Sequence, residues 1–151
     1  MSFTQLFCRA QLGIDAPEVC VEVHISNGLP RFTLVGLPET AVREARDRVR
    51  SAIQNSGFTF PARRITVNLS PADIPKEGGR YDLAIALGIL AASAQVDIAS
   101  LQQVDCFGEL ALNGDCRAIA GLLPALIASR QANRAVVIPT QNQPEARLVR
   151  D

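Results

Sequence analysis

The chain reads as a single α/β domain built on a mixed β-sheet with packed crossover helices. Three observations predict it: apolar residues alternate at period two in several short runs, other segments carry them at helical spacing, and glycine, proline and asparagine signals separate the two kinds. Val19, Val21, Val23 and Ile25 share one face of a run whose other face holds Cys20, Glu22 and His24, the pattern of a half-buried strand. A similar run spans about Phe3 to Leu12, and Asn27-Gly28 leads into a third strand at Phe32 to Val35, so the first 36 residues are expected to form an antiparallel meander. Pro38 then opens a helix with Val42, Ala45, Val49, Ala52 and Ile53 on one side, and Gly57 ends it. Its other side carries Arg43, Arg46, Asp47 and Arg50, while Glu39–Arg43 and Glu44–Arg48 are i,i+4 pairs in the favourable order.

Ile65, Val67 and Leu69 mark the next strand, followed by a charged glycine loop and a helix from Asp82 to about Ala94 with almost no polar face. Ala84, Ala86, Gly88, Ala91 and Ala92 allow close approach to a sheet, and such a helix must be covered on most sides. Asn113-Gly114 between two short runs signals a type I′ hairpin. A helix near Leu122–Gln131, a short strand at Ala135–Ile138, a stop at Pro139 and a last helical segment from about Pro144 complete the chain.

Composition narrows the function. At 151 residues the chain suits one domain, and 48% hydrophobic with 20% charged residues is the balance of a folded globule. Fifteen basic residues offset fifteen acidic ones, so any DNA contact must rest on a local patch. Cys8, Cys20, Cys106 and Cys116 lack C-x-x-C spacing and His24 is the only histidine, which argues against a metal site. Cys8 and Cys20 fall in expected neighbouring strands, and buried thiols are the preferred reading over a disulfide. No signal peptide is evident, and the apolar stretch from Leu83 to Val96 falls short of the about 20 residues a bilayer span needs. No membrane partner is expected. There is no G-x-x-x-x-G-K-[ST] phosphate loop.

The run Asn68-Leu-Ser-Pro-Ala-Asp-Ile-Pro-Lys-Glu-Gly-Gly-Arg-Tyr-Asp-Leu83, together with Val35-Gly-Leu-Pro-Glu-Thr-Ala-Val-Arg-Glu-Ala-Arg-Asp-Arg-Val-Arg50 and Asn55-Ser-Gly57, resembles the signature of the magnesium-chelatase-like, ComM-type competence proteins. The resemblance covers essentially the whole chain. It implies the fold of the Lon proteolytic domain, with 1–151 as a single N-terminal domain and a hexamer-forming AAA+ ATPase module beyond Asp151. It also implies a cytoplasmic protein that drives DNA branch migration during natural transformation. ATP and magnesium are then cofactors of the longer protein, none being expected in this segment. The expected partners are the protein's own AAA+ module, its homo-hexamer neighbours and, weakly for this domain, DNA.

The Lon relationship makes a serine–lysine peptidase the first enzyme reading to weigh. Matching Pro75-Lys-Glu-Gly-Gly79 to the peptidase run Pro-Lys-Asp-Gly-Pro-Ser puts Arg80 at the nucleophile, and matching Gly121-Leu122 puts Leu123 at the general-base lysine. A guanidinium cannot serve as a nucleophile at neutral pH. The segment is therefore expected to be non-catalytic, with a degenerate or cryptic Lon-type serine–lysine peptidase as the alternative; Ser70 and Lys76 lie nearby in sequence, but a spacing of six residues gives no reason for the lysine to be the serine's base. A domain of an ATPase subunit for metal insertion into a porphyrin is a further alternative.

Lys76, Glu77, Gly78, Gly79, Arg80 and Asp82 form the candidate site, read as a structural turn, a contact between subunits or domains, or an anion loop at a helix N-terminus. Asp82 is the expected N-cap, in the place an anion would want. Arg63 and Arg64, with Lys76 and Arg80, are the candidate DNA contacts. Aromatic residues suited to base stacking are scarce: Tyr81 is the only tyrosine and tryptophan is absent. His24 beside Glu22 is read as part of a solvated strand face.

Overall fold

The computed structural model describes residues 2–149, so the expected boundary at Asp151 lies outside them. A six-stranded sheet carries strands β1 (Ser2–Arg9), β2 (Glu18–Ser26), β3 (Arg31–Val35), β4 (Arg64–Ser70), β5 (Val104–Cys106) and β8 (Ala135–Val137). Its order is β3-β4-β2-β1-β5-β8, and a separate hairpin pairs β6 (Glu109–Leu110) with β7 (Cys116–Arg117). Helices α1 (Glu39–Asn55), α2 (Asp82–Ala92), α3 (Leu123–Gln131) and α4 (Gln143–Ala146) connect or flank them.

β1 and β2 pair antiparallel, as do β2 and β4, whereas β3–β4, β1–β5 and β5–β8 are parallel. The expected three-strand meander is therefore corrected. β4 lies between β2 and β3 because α1 makes a crossover that returns the chain parallel to β3, as helix-connected strands do.

The alternation in β2 is fully expressed: Val19, Val21, Val23 and Ile25 are buried, as are Ile65, Val67 and Leu69 beside them. α2 lies on this face, with Thr4 Oγ1 donating to the Gly88 carbonyl at 2.9 Å. A Cβ at Gly88 would meet Val23 Cγ2 at 2.6 Å, which is why the helix needs glycine where it crosses the sheet. α1 packs beside α2 through Ala45, Val49, Ala52 and Ile53, and Gly57, at φ +85°, follows its last turn. Cys8 and Cys20 occupy opposite faces of adjacent strands, Cys8 buried and Cys20 half-buried, and both are free thiols.

The Asn113-Gly114 hairpin exists but differs in its turn. Ala111 N–H donates to Asp115 O and Gly114 N–H to Ala111 O; only Gly114, at φ +98°, takes a positive φ, while type I′ would need it at Asn113 too. Asn113 Oδ1 accepts the Asp115 N–H at 3.0 Å, an Asx turn that favours the longer loop.

The reverse face of the sheet is half covered. Asp105 on β5 pairs with Phe7, so both point away from α2, and there Asp105 meets α3. The remainder, across β3, β4, β2 and the start of β1, has no helix over it among the described residues: Phe3 is 56% exposed and Arg31 and Arg64 face solvent.

Candidate functional site

The signature loop runs from the end of β4 into α2, and its charged residues turn inward. Lys76 is 2% exposed, with Nζ donating to the carbonyls of Pro71 at 2.5 Å and Ile74 at 3.0 Å. The lysine thus closes a ring over its own loop, and burial lowers its pKa. Arg80 is 4% exposed and reaches across the fold, donating to Arg9 O at 3.2 Å, Ala120 O at 3.1 Å and Gln11 Oε1 at 3.4 Å. Neither cation is presented to solvent, which leaves Arg63 and Arg64 as the exposed pair among the four expected DNA contacts.

Asp82 departs from its expected role. The N-cap position is Tyr81, without a side-chain cap, and Asp82 begins the helix itself. Its carboxylate, 1% exposed, accepts from Arg48 Nε at 2.6 Å and Nη2 at 3.2 Å and from the Leu110 N–H at 3.1 Å. One carboxylate therefore joins α1, α2 and β6. Burial raises the Asp82 pKa against the pull of Arg48, while the hydrogen bond to Asp82 raises that of Arg48. The i,i+4 partner Glu44 is more distant from Arg48, at 3.8 Å. The Tyr81 hydroxyl, also buried, has no hydrogen-bond partner among the described residues.

A cleft of about 340 Å³ opens beside the loop, lined in part by Gln11, Glu77, Gly78, Gly79, Arg80 and Glu109. Gly78 takes φ +75° with open space around it, while Glu109 lies against Gly79, where a Cβ would press on the carboxylate. The first N–H groups of α2 are engaged: Asp82 donates to Gly79 O and Leu83 to Gly108 O, each at 3.0 Å. With those donors occupied and Glu77 and Glu109 at the rim, the cleft is poorly suited to an anion.

Arg80 bonds the carbonyl of Ala120, three residues before Leu123, so its guanidinium reaches from the head of α2 toward that of α3. Ser70 and Lys76 do not combine. Ser70 lies on the reverse side of β4 opposite Cys20, and the Lys76 donors are held by loop carbonyls. Glu22, two residues before His24 on β2, accepts from Asn68 Nδ2 at 3.0 Å.

One polar cluster escaped the sequence reading. Asp105, fully buried, accepts from Arg9 Nε at 2.8 Å, Arg134 Nε at 2.7 Å and Ser129 Oγ at 2.7 Å, tying β1, β5, α3 and the turn before β8 together. Glu18 adds longer contacts to both arginines, at 3.8 and 3.5 Å. The available signal was an aspartate inside the apolar run Val104-Asp-Cys-Phe107. Cys106 beside it is buried, which raises its pKa to about 11. Its thiol therefore stays protonated at neutral pH.

A family model described as subunit ChlI of Mg-chelatase matches residues 21–142. The chain belongs to that family. This ChlI-family chain is 56% identical over 151 residues to the competence protein ComM of Haemophilus influenzae, covering 100% of itself and 30% of that protein. It is 51% identical over 149 residues to the YifB protein of Escherichia coli, covering 99% of itself and 29% of the relative. The chain thus spans about 30% of the length of these ComM and YifB relatives. Against Lon protease 2 of Bacillus subtilis the identity is 35% over 98 residues, 64% of this chain and 17% of that one, in keeping with the Lon proteolytic-domain-like α/β fold.

Proposed function

We propose that the chain is the non-catalytic N-terminal domain of a ComM-like hexameric AAA+ ATPase that acts in DNA branch migration during natural transformation and recombination, in the cytoplasm. The observation that carries this reading is the 56% identity to competence protein ComM along the whole chain. The domain contributes to assembly and DNA guidance, while a following module binds ATP and magnesium. Two features of the site favour a supporting role over chemistry. Arg80 occupies the position aligned with the peptidase serine, and its donors are held by Arg9, Gln11 and Ala120. The loop cations are engaged in holding the loop and its neighbours, which suits a rigid contact surface formed by Glu77, Gly78 and their surroundings.

Membership of the family of subunit ChlI of Mg-chelatase favours a second reading, a domain of an ATPase subunit in a metal-insertion complex. ATP-dependent magnesium insertion by the longer protein, without action on DNA junctions, would select it.

The 151-residue chain alone should turn over neither casein nor ATP, because its one lysine, Lys76, is hydrogen-bonded to loop carbonyls and to no serine among the described residues, and its sequence has no phosphate loop. Incubation with labelled casein and with ATP measures both. Casein cleavage that disappears in Ser70→Ala would sink the non-catalytic reading in favour of a cryptic hydrolase, and ATP turnover by the pure chain would sink it from the other side.

A further inference from the structure

The neutral chain segregates its charge. Among the described residues, every ion pair of an arginine involves Arg9, Arg48 or Arg134. Six other arginines, Arg31, Arg43, Arg46, Arg50, Arg63 and Arg64, gather along the free edge of β3 without a carboxylate partner. They wrap around it, Arg31 and Arg64 projecting from the reverse face of the sheet and Arg43, Arg46 and Arg50 from α1, and backbone or head-group contacts place five of them at the edge. Arg31 and Arg64 are register partners in the parallel β3–β4 ladder, and the Arg31 N–H bonds Arg63 O at 3.2 Å. Arg46 donates to Phe32 O at 3.1 Å, and Arg50 lies 4.6 Å above the ring of Phe60, which packs 5.4 Å from Phe32. Arg43 stands three and seven residues before Arg46 and Arg50 on the same stripe of α1. On the intervening helix surface only Glu39 and Asp47 oppose them, and six cations less two carboxylates leave a surplus of four positive charges.

We propose that this edge, the α1 stripe with the heads of β3 and β4, binds the phosphate backbone of nucleic acid. The proposal rests on the DNA-acting function above and supplies the surface for it. Arginine forks match phosphate oxygens in pairs. The stripe from Arg43 to Arg50 alone extends about 10 Å at a helical rise of about 1.5 Å per residue, enough to follow successive phosphates and more than one isolated anion needs. The surface lies apart from the signature loop. It replaces Lys76 and Arg80, whose head groups are buried, with cations that face solvent or its border.

Fluorescence anisotropy of a labelled duplex with the 151-residue chain tests it. Binding should weaken about 60-fold for a fourfold rise in salt, the consequence of neutralising about three or four phosphates at a slope near −3. Arg63→Gln with Arg64→Gln should flatten the slope by about 2 and leave the melting temperature unchanged, since neither head group makes an ion pair. Arg130→Gln with Arg147→Gln, exposed residues of α3 and the α4 end, should leave the slope as it was. No duplex binding at low salt would overturn the proposal, as would equal loss in the Arg130/Arg147 variant. Poly-glutamate bound as tightly as DNA would also overturn it, pointing to an acidic protein surface. In the longer protein, junction migration unaffected by the Arg63/Arg64 change would remove this surface while leaving the proposed function standing. Normal duplex binding by the chain in a longer protein that moves no junction would do the reverse.

Discussion

Replacing Asp105 by alanine is expected to lower the stability of the chain by about 3–5 kcal/mol, because it leaves two inward-turned arginines with only the longer contacts of the exposed Glu18 as counter-charge. Arg9 is 8% exposed, and its neighbours in the interior are the Ala16 carbonyl and β1. Arg134 rests 4.8 Å above the ring of Phe7, and Ser129, fully buried, loses its acceptor as well. Asp105→Asn keeps the shape and one acceptor oxygen but not the charge, so its loss should be smaller, about 2 kcal/mol. Urea unfolding at neutral pH measures both. A deficit of less than about 1 kcal/mol for the alanine variant would mean that water reaches the cluster and the carboxylate is not needed to hold β1, β5 and α3 in place.

The second large effect is expected at the Arg48–Asp82 bridge, and it should be asymmetric. Arg48→Ala leaves a carboxylate that is 1% exposed with only the Leu110 N–H to accept from, a loss of about 3 kcal/mol. Asp82→Ala leaves an arginine whose side chain is already 22% exposed and can turn outward, so about 2 kcal/mol should suffice. The sign of the pH dependence follows from burial. Asp82 holds its proton more tightly folded than unfolded, so its protonated form favours the folded state below the unfolded pKa, and that advantage fades as pH rises through the folded pKa. Without Arg48 the upward shift grows, and the deficit of Arg48→Ala should therefore be larger at neutral pH than in mild acid. Equal deficits for the two variants at both conditions would show that the bridge acts by packing alone.

The two buried carboxylates also explain what could be read from the chain and what could not. Strands with clean alternation, β2 and β4, and the amphipathic helix α1 were legible because each buries one face and the pattern repeats over several residues. β5 was not, since three residues carry no period and its central one is charged. Sheet order was equally hidden: Asn27-Gly28 signals a turn after β2 but says nothing of β4 entering between β2 and β3. At the signature loop the sequence suggested exposed charges, and the structure buries three of them. Lys76, Arg80 and Asp82 look like a charged surface loop because their partners are carbonyls of Pro71, Ile74, Arg9 and Ala120, and Arg48 from another helix, none of which local spacing reveals. The lone arginine in the peptidase-serine position was visible from the aligned motif; that it spans toward the head of α3 needed the fold.

The proposed function concerns a protein longer than these residues, and its most direct measurement is junction migration. The longer protein containing this chain, purified as it assembles with nucleotide and magnesium, should move a branched DNA junction at the expense of ATP and should lose that activity when residues 1–151 are removed. Junction migration that needs ATP and these residues is the predicted result. A purified, nucleotide-hydrolysing protein that leaves the junction where it was would contradict it.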